Sequence, residues 1–186
     1  MGQYYHTILA DNENGIRKLD NKSNFGEWEG LKLMEHSWIG NNWADIVAQE
    51  IYNHKTRVSH VGDYADEYPQ WYLAYGEQVE IPQMNIDKYR KEKGFTHLDY
   101  HDKYFINWDK RMYINLNDYM EESNNEGWIV NPVTLLTALG NGRGGGDYWD
   151  KYPYADEVGA WSWDLISIED EHPADFEEVD IYFKED

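Results

Sequence analysis

With 186 residues and 41% hydrophobic content, the chain is long enough to bury a sizeable core as one domain. Its 9 Trp and 16 Tyr exclude a disordered acidic chain, and the absence of cysteine excludes disulfides, thiol catalysis and cysteine-bound zinc. A net charge of −20 opposes direct binding to nucleic acid, and no apolar run approaches the roughly 18 residues of a membrane span.

Residues 3 to 10, QYYHTILA, are aromatic and β-branched and read as a first strand. Asn14-Gly15 marks a turn into a second short strand, Ile16 to Leu19. A polar loop at 20–30 follows. Trp43, Ile46, Val47 and Ile51 recur at helical spacing behind Asn41 and Asn42, either of which suits an N-cap, so the main helix is expected over about 42–53. RVSHV (57–61) reads as a strand ending at Gly62, and WYLAYG (71–76) as another. The charged stretch 83–103 resembles a surface excursion. Two aromatic, β-branched runs flank Asp109-Lys110, a hairpin signal. Residues 117–125 read as a loop or helical turn, and 134–139 as a short helix or strand after Pro132. The last two strands are expected at 161–168 and 179–183, with Trp161 and Trp163 on one strand face. Many short strands and one convincing helix predict an α+β fold, a single domain with a mostly antiparallel sheet.

The most site-like stretch is GNGRGGGDYWD, Gly140 to Asp150. Glycine loses more backbone entropy on folding than any other residue, so five glycines in seven positions point to positive φ or to a close approach of backbone or ligand. The stretch matches neither the P-loop nor a clean GxGxxG pattern. Its backbone N–H groups suit an anion nest, with Arg143 as a bidentate donor; a tight turn between strands is the structural alternative. Two further segments carry polar chemistry. His36, Ser37, Trp38 and Asn41 precede the main helix, where they suit either a polar ligand or a capped start with a packed indole. His60, Asp63, Asp66 and Glu67 suit a hard cation, acid–base work or simply a solvated acidic loop. Convergence of these segments with Asn141, Arg143, Gly144, Gly145 and Asp147 would form a ligand pocket. His97 and His101 stand four apart, but their segment lacks helical character, so a zinc site is not expected there. No catalytic signature, cofactor or tight transition-metal site emerges.

The charge is uneven. Residues 155–186 hold 12 acids against Lys184 alone, more than half of the net charge. Such a segment serves solubility, attracts a basic protein, or imitates a polyanion. The apolar residues of AWSWDLISI and VDIYF imply that it is folded rather than a loose tail. Glu169, Asp170, Glu171, Glu177, Glu178 and Asp180 are therefore the candidate partner-binding acids. In the last strand, alternation sets Glu178, Asp180 and Tyr182 on one face and Val179, Ile181 and Phe183 on the other.

The segments MGQYYHTILAD, GLKLMEHSWIGN, VGDYADE, LLTALGNGRGGGDY and VGAWSWDLISIE together resemble a family of small uncharacterised proteins from phages and Firmicutes. The resemblance spans nearly the whole chain. It implies a cytoplasmic, phage-linked accessory protein and assigns no catalytic residue. Two functions follow as expectations. One is a non-enzymatic inhibitor, of anti-defence type, that binds a basic or nucleic-acid-handling host partner through its acidic surface. The other is a nucleotide-like ligand-binding protein, a sponge or metal-assisted hydrolase, using Gly140–Asp147.

Overall fold

The computed structural model describes residues 3–20, 31–63, 65, 83–85, 91–92, 94, 97–125, 127–140 and 154–184. Strands β1 (Tyr5–Asp11) and β2 (Gly15–Asp20) form the first hairpin. Its turn is closed by the Asp11 carboxylate, which accepts the N–H groups of Glu13 (2.8 Å) and Asn14 (2.7 Å). Gly15 follows at φ +68°, a conformation that costs glycine little. After the short helix α1 (Leu33–His36) comes the main helix, α2 (Asn42–Ile51). The side chain of Asn41 caps it by accepting the Trp43 N–H at 2.9 Å. It ends two residues before the expected boundary. Tyr52 leaves it to bridge Ile168, and Asn53, at φ +53°, donates its N–H to the Ile168 carbonyl.

The remaining elements are β3 (Thr56–Gly62), β4 (Gln83–Asn85), β5 (Tyr104–Asn107), β6 (Met112–Asn115), α3 (Leu116–Glu122), the ribbon β7 (Asn124–Asn125) and β8 (Trp128–Ile129), α4 (Pro132–Leu136), β9 (Ala138–Leu139), a 3₁₀ turn (Ala155–Glu157), β10 (Leu165–Glu169) and β11 (Glu177–Glu178). The fold is α+β. The main sheet runs β11-β6-β5-β10-β3-β1-β2-β4, with β9 joined to β3. Its centre is antiparallel; β11 on β6, β4 on β2 and β9 on β3 are parallel.

Pairing register fixes which residues share a face. Thr7 lies opposite His60, Leu9 opposite Val58, and Ile168 opposite Phe105. The buried cluster joins Leu9, Val58, Phe105 and Ile168 to Trp43, Ile46, Val47 and Ile51 of α2 and to Val133, Leu135 and Leu136 of α4. Each such side chain contributes about 1.5–3 kcal/mol on burial, so this face carries most of the core. Pro132 opens α4 rather than breaking it, because the first turn has no N–H partner to lose; Asn131 caps that turn.

The C-terminal strands differ from expectation. The 161–168 run becomes a strand only at Leu165, because Trp161 to Asp164 form a turn with Trp163 at φ +64°. The two tryptophans therefore separate: Trp161 is buried and Trp163 half-buried. In place of a strand at 179–183, regular pairing stops at Glu178. The inward alternation nevertheless continues, with Ile181 and Phe183 buried and Asp180 exposed. The expected strand at 71–76 lies outside the described residues.

Candidate functional site

Parallel pairing of Val61 with Leu139 brings Gly62 and Gly140 side by side. Both press on Gln3. A Cβ at Gly62 would stand 2.7 Å from the Gln3 Cδ, and one at Gly140 would stand 2.6 Å from the Gln3 Oε1 and the Tyr5 hydroxyl. Close approach therefore explains these two glycines. Gln3 is fully buried; its Oε1 accepts the Tyr5 hydroxyl at 2.5 Å, while its Nε2 has no hydrogen-bond partner among the described residues. The ends of two expected pocket segments thus meet. Asn141, Arg143, Gly144, Gly145 and Asp147, together with Asp66 and Glu67, lie outside the described residues.

The other pocket candidates are placed by structural bonds. Asp63 is exposed and clamps the start of β1, accepting the Tyr4 N–H and donating its own N–H to Tyr4 O, both at 2.9 Å. His36 donates Nδ1–H to the Lys32 carbonyl at 2.9 Å and stacks on Trp38. The Ser37 carbonyl accepts the Asn131 N–H at 2.6 Å, Trp38 bridges Val130, and Asn41 caps α2. The segment 36–41 is thereby fixed between α2 and the β8–α4 connection.

His60 does not join Asp63 as a ligand. It is fully buried on the α2 side of β3, edge-on to Trp43. Thr137 donates its hydroxyl to the Val133 carbonyl at 2.6 Å, so its oxygen accepts from His60 Nδ1 at 2.7 Å. That assigns the proton to Nδ1 and leaves Nε2 a buried acceptor without a partner among the described residues. Burial pushes the His60 pKa down to about 3, so the ring is neutral at pH 7.

A cluster the sequence reading missed surrounds Asp45, in the first turn of α2 and fully buried. Its carboxylate accepts the Gly40 N–H at 3.0 Å, the Tyr100 hydroxyl at 3.3 Å, and Nδ1–H of His97. Asn131 donates to the Tyr100 hydroxyl at 2.8 Å. Burial, and then the Asp45 charge, push the Tyr100 phenol well above its ordinary pKa. The cluster pins 97–100 onto the starts of α2 and α4. Its one sequence signal was an acid, Asp45, flanked by the buried stripe residues Ala44 and Ile46. Among the described residues no group of three or more His, Asp or Glu side chains is set to hold a metal.

The acidic C-terminal segment divides in two. Asp170 is engaged, accepting the Tyr52 hydroxyl at 2.9 Å and Lys103 Nζ at 3.1 Å; these bonds, led by Lys103, lower its pKa. Glu169 is half-buried and Glu171 exposed. Glu177, Glu178 and Asp180 are exposed and have no cationic partner among the described residues. Glu178 accepts the Tyr113 hydroxyl at 3.0 Å. Residues 177–181 form one wall of a groove of about 530 Å³. Met112, Trp161, Val179 and Ile181 supply apolar lining, Glu157 lines the groove as well, and Lys110, also in the lining, is held by Asp164 at 2.5 Å.

Comparisons with protein-family models, curated proteins and solved structures returned no match.

Proposed function

We propose that this chain is a binding protein that captures a basic partner, of the kind that handles nucleic acid, and inhibits it through its acidic C-terminal face. One observation carries the reading: Glu157, Glu177, Glu178 and Asp180 line a groove with Met112, Trp161, Val179 and Ile181, and no lysine or arginine among the described residues forms an ion pair with them, Lys110 of the same lining being paired with Asp164. Uncompensated carboxylates repel one another and stay hydrated, so they add nothing to folding that an amide would not. They do raise the encounter rate and select the charge of a partner. An accessory, anti-defence role in a host cytoplasm fits a protein that works this way. Titration with an arginine- and lysine-rich peptide, beside a neutral peptide of equal length, tests this. The basic peptide should bind, weaken as salt rises, and be lost in the variant Glu177→Gln/Glu178→Gln/Asp180→Asn. Equal affinity in the variant, or no binding at low salt, would overturn the proposal.

A second reading rests on Gln3. A fully buried amide nitrogen without an acceptor among the described residues, beside Gly62 and Gly140, suits a ligand oxygen. A nucleotide-like ligand would supply that oxygen and use Arg143. Stabilisation of the protein by nucleotides, abolished in Arg143→Ala, would favour it; no shift with any nucleotide would remove it.

A further inference from the structure

We infer that the basic partner docks as an added β-strand along the outer edge of β11, over the groove. The inference deepens the acidic-face reading and rests on it. β11 is the terminal strand of the main sheet. Its inner edge is used: Glu177 donates its N–H to the Arg111 carbonyl at 3.1 Å and Val179 to the Tyr113 carbonyl at 2.9 Å. Alternation then turns the N–H groups of Glu178 and Asp180 to the outer side, where no strand pairs with them among the described residues. An exposed edge is a template for another chain, and charged side chains are the usual safeguard against self-association. Here every charge along the edge from 177 to 181 is negative. A second copy in register would set carboxylate against carboxylate, whereas a lysine- or arginine-bearing strand converts the same row into cross-strand pairs.

The register also states what such a strand should look like. Glu177 lies opposite Met112 and Glu178 opposite Tyr113, so the two acids project from opposite faces. The Tyr113 hydroxyl on Glu178 confirms the side. By alternation Val179 and Ile181 share the face of Glu177, where Val179 is half-buried and Ile181 buried, and Asp180 shares the face of Glu178; all five residues line the groove. An added strand would therefore alternate. Apolar residues enter the groove on one face, and basic residues, about 6.6 Å apart, meet Glu178 and Asp180 on the other. Main-chain bonds to the edge supply affinity and the alternate side chains supply selectivity.

The test uses the full chain and three peptides of about eight residues, a typical strand length. One alternates lysine and valine. The second has the same sequence with N-methyl groups on the backbone nitrogens of one edge. The third is all lysine. The alternating peptide should bind about tenfold or more tighter than its N-methylated form, since main-chain bonds carry the affinity. It should also slow hydrogen exchange at the Glu178 and Asp180 amides. Equal affinity of the alternating and N-methylated peptides, without that protection, would overturn strand addition and leave acidic-face capture standing. Failure of all three to bind at low salt would overturn both.

Discussion

Around the start of α2 the polar side chains are buried and bonded to one another; along β11 they are exposed and lack cationic partners among the described residues. Asp45 accepts from Gly40, Tyr100 and His97, while Trp43 donates Nε1–H to the Thr7 hydroxyl at 2.6 Å. Glu177 and Asp180, by contrast, face solvent. In the interior, an unsatisfied donor or acceptor costs its full desolvation, so such groups persist only as parts of a bonded set. At the edge, water does most of that work, and among the described residues only tyrosine hydroxyls, that of Tyr113 on Glu178 and that of Tyr182 on Asp180, engage the acids. Chemistry that looks promising in a list of residues, such as His60 or Asn41, can thus be committed to structure. A plain row of acids is what remains available for a partner.

The comparison predicts a steep gradient of mutational cost. Trp43→Ala should be the most damaging: it removes a fully buried indole, its bond to Thr7 and its edge contact with His60. Urea denaturation should show a loss of about 3–5 kcal/mol. A loss under about 1 kcal/mol would mean that the helix–sheet interface is not the core described here. Asp45→Ala comes next, at about 2 kcal/mol, because it strands the Gly40 N–H and the Tyr100 hydroxyl. The exposed His97 contributes less, since solvent screens that pair. Asp45→Asn keeps an acceptor oxygen and should cost less than Asp45→Ala; the reverse order would show that the carboxylate is not serving these donors.

His60 gives a pH dependence of known sign. Its folded pKa, about 3, lies below the ordinary 6.5, so the unfolded chain takes up a proton first as pH falls. The stability this neutral ring confers is complete above about pH 6.5 and is lost between there and about pH 3. Within that window the group alone removes about 1.4 kcal/mol per pH unit. The carboxylates of Asp11 and Asp109, whose pKa values are lowered, lose their contribution only below their ordinary 3.8. Unfolding free energies between pH 5 and 7 should therefore slope in the wild type and be flatter in His60→Gln. Equal slopes would contradict a buried, neutral His60.

Local pattern was legible and long-range pairing was not. Asn41, Trp43, Ile46, Val47 and Ile51 announced α2, and the hairpin about Asp109 appeared as expected, because caps, turns and apolar spacing act within a few residues. The parallel addition of β9 to β3 joins His60 to Ala138, a pairing with no local signal. His60 is buried beneath Trp43 and bonded to Thr137, while Asp63 stays at the surface. Asp45 and His97 lie 52 residues apart, so the local His97–His101 spacing carries no trace of the partner that matters. Trp163 illustrates the opposite failure: β-type composition was overridden by a turn that needs positive φ.

The smallest expected effect on folding is also the most informative. Glu177→Gln/Glu178→Gln/Asp180→Asn keeps side-chain size, and Gln at 178 still offers an oxygen to the Tyr113 hydroxyl. No described cation loses a partner, because none is paired with these three acids. The variant should unfold within about 0.5 kcal/mol of the wild type, as surface changes away from special features usually do. Relief of repulsion among neighbouring acids could even place it on the stable side. Binding of the basic peptide should nevertheless collapse, and its salt dependence should flatten. The two readouts must separate for the comparison to hold. If the variant lost more than about 1 kcal/mol, the edge would be part of the fold as Asp45 is, and weakened binding would follow from unfolding. If stability and binding were both unchanged, the acids would be a solubility device and a partner would have to be sought at the Gln3 end of the sheet.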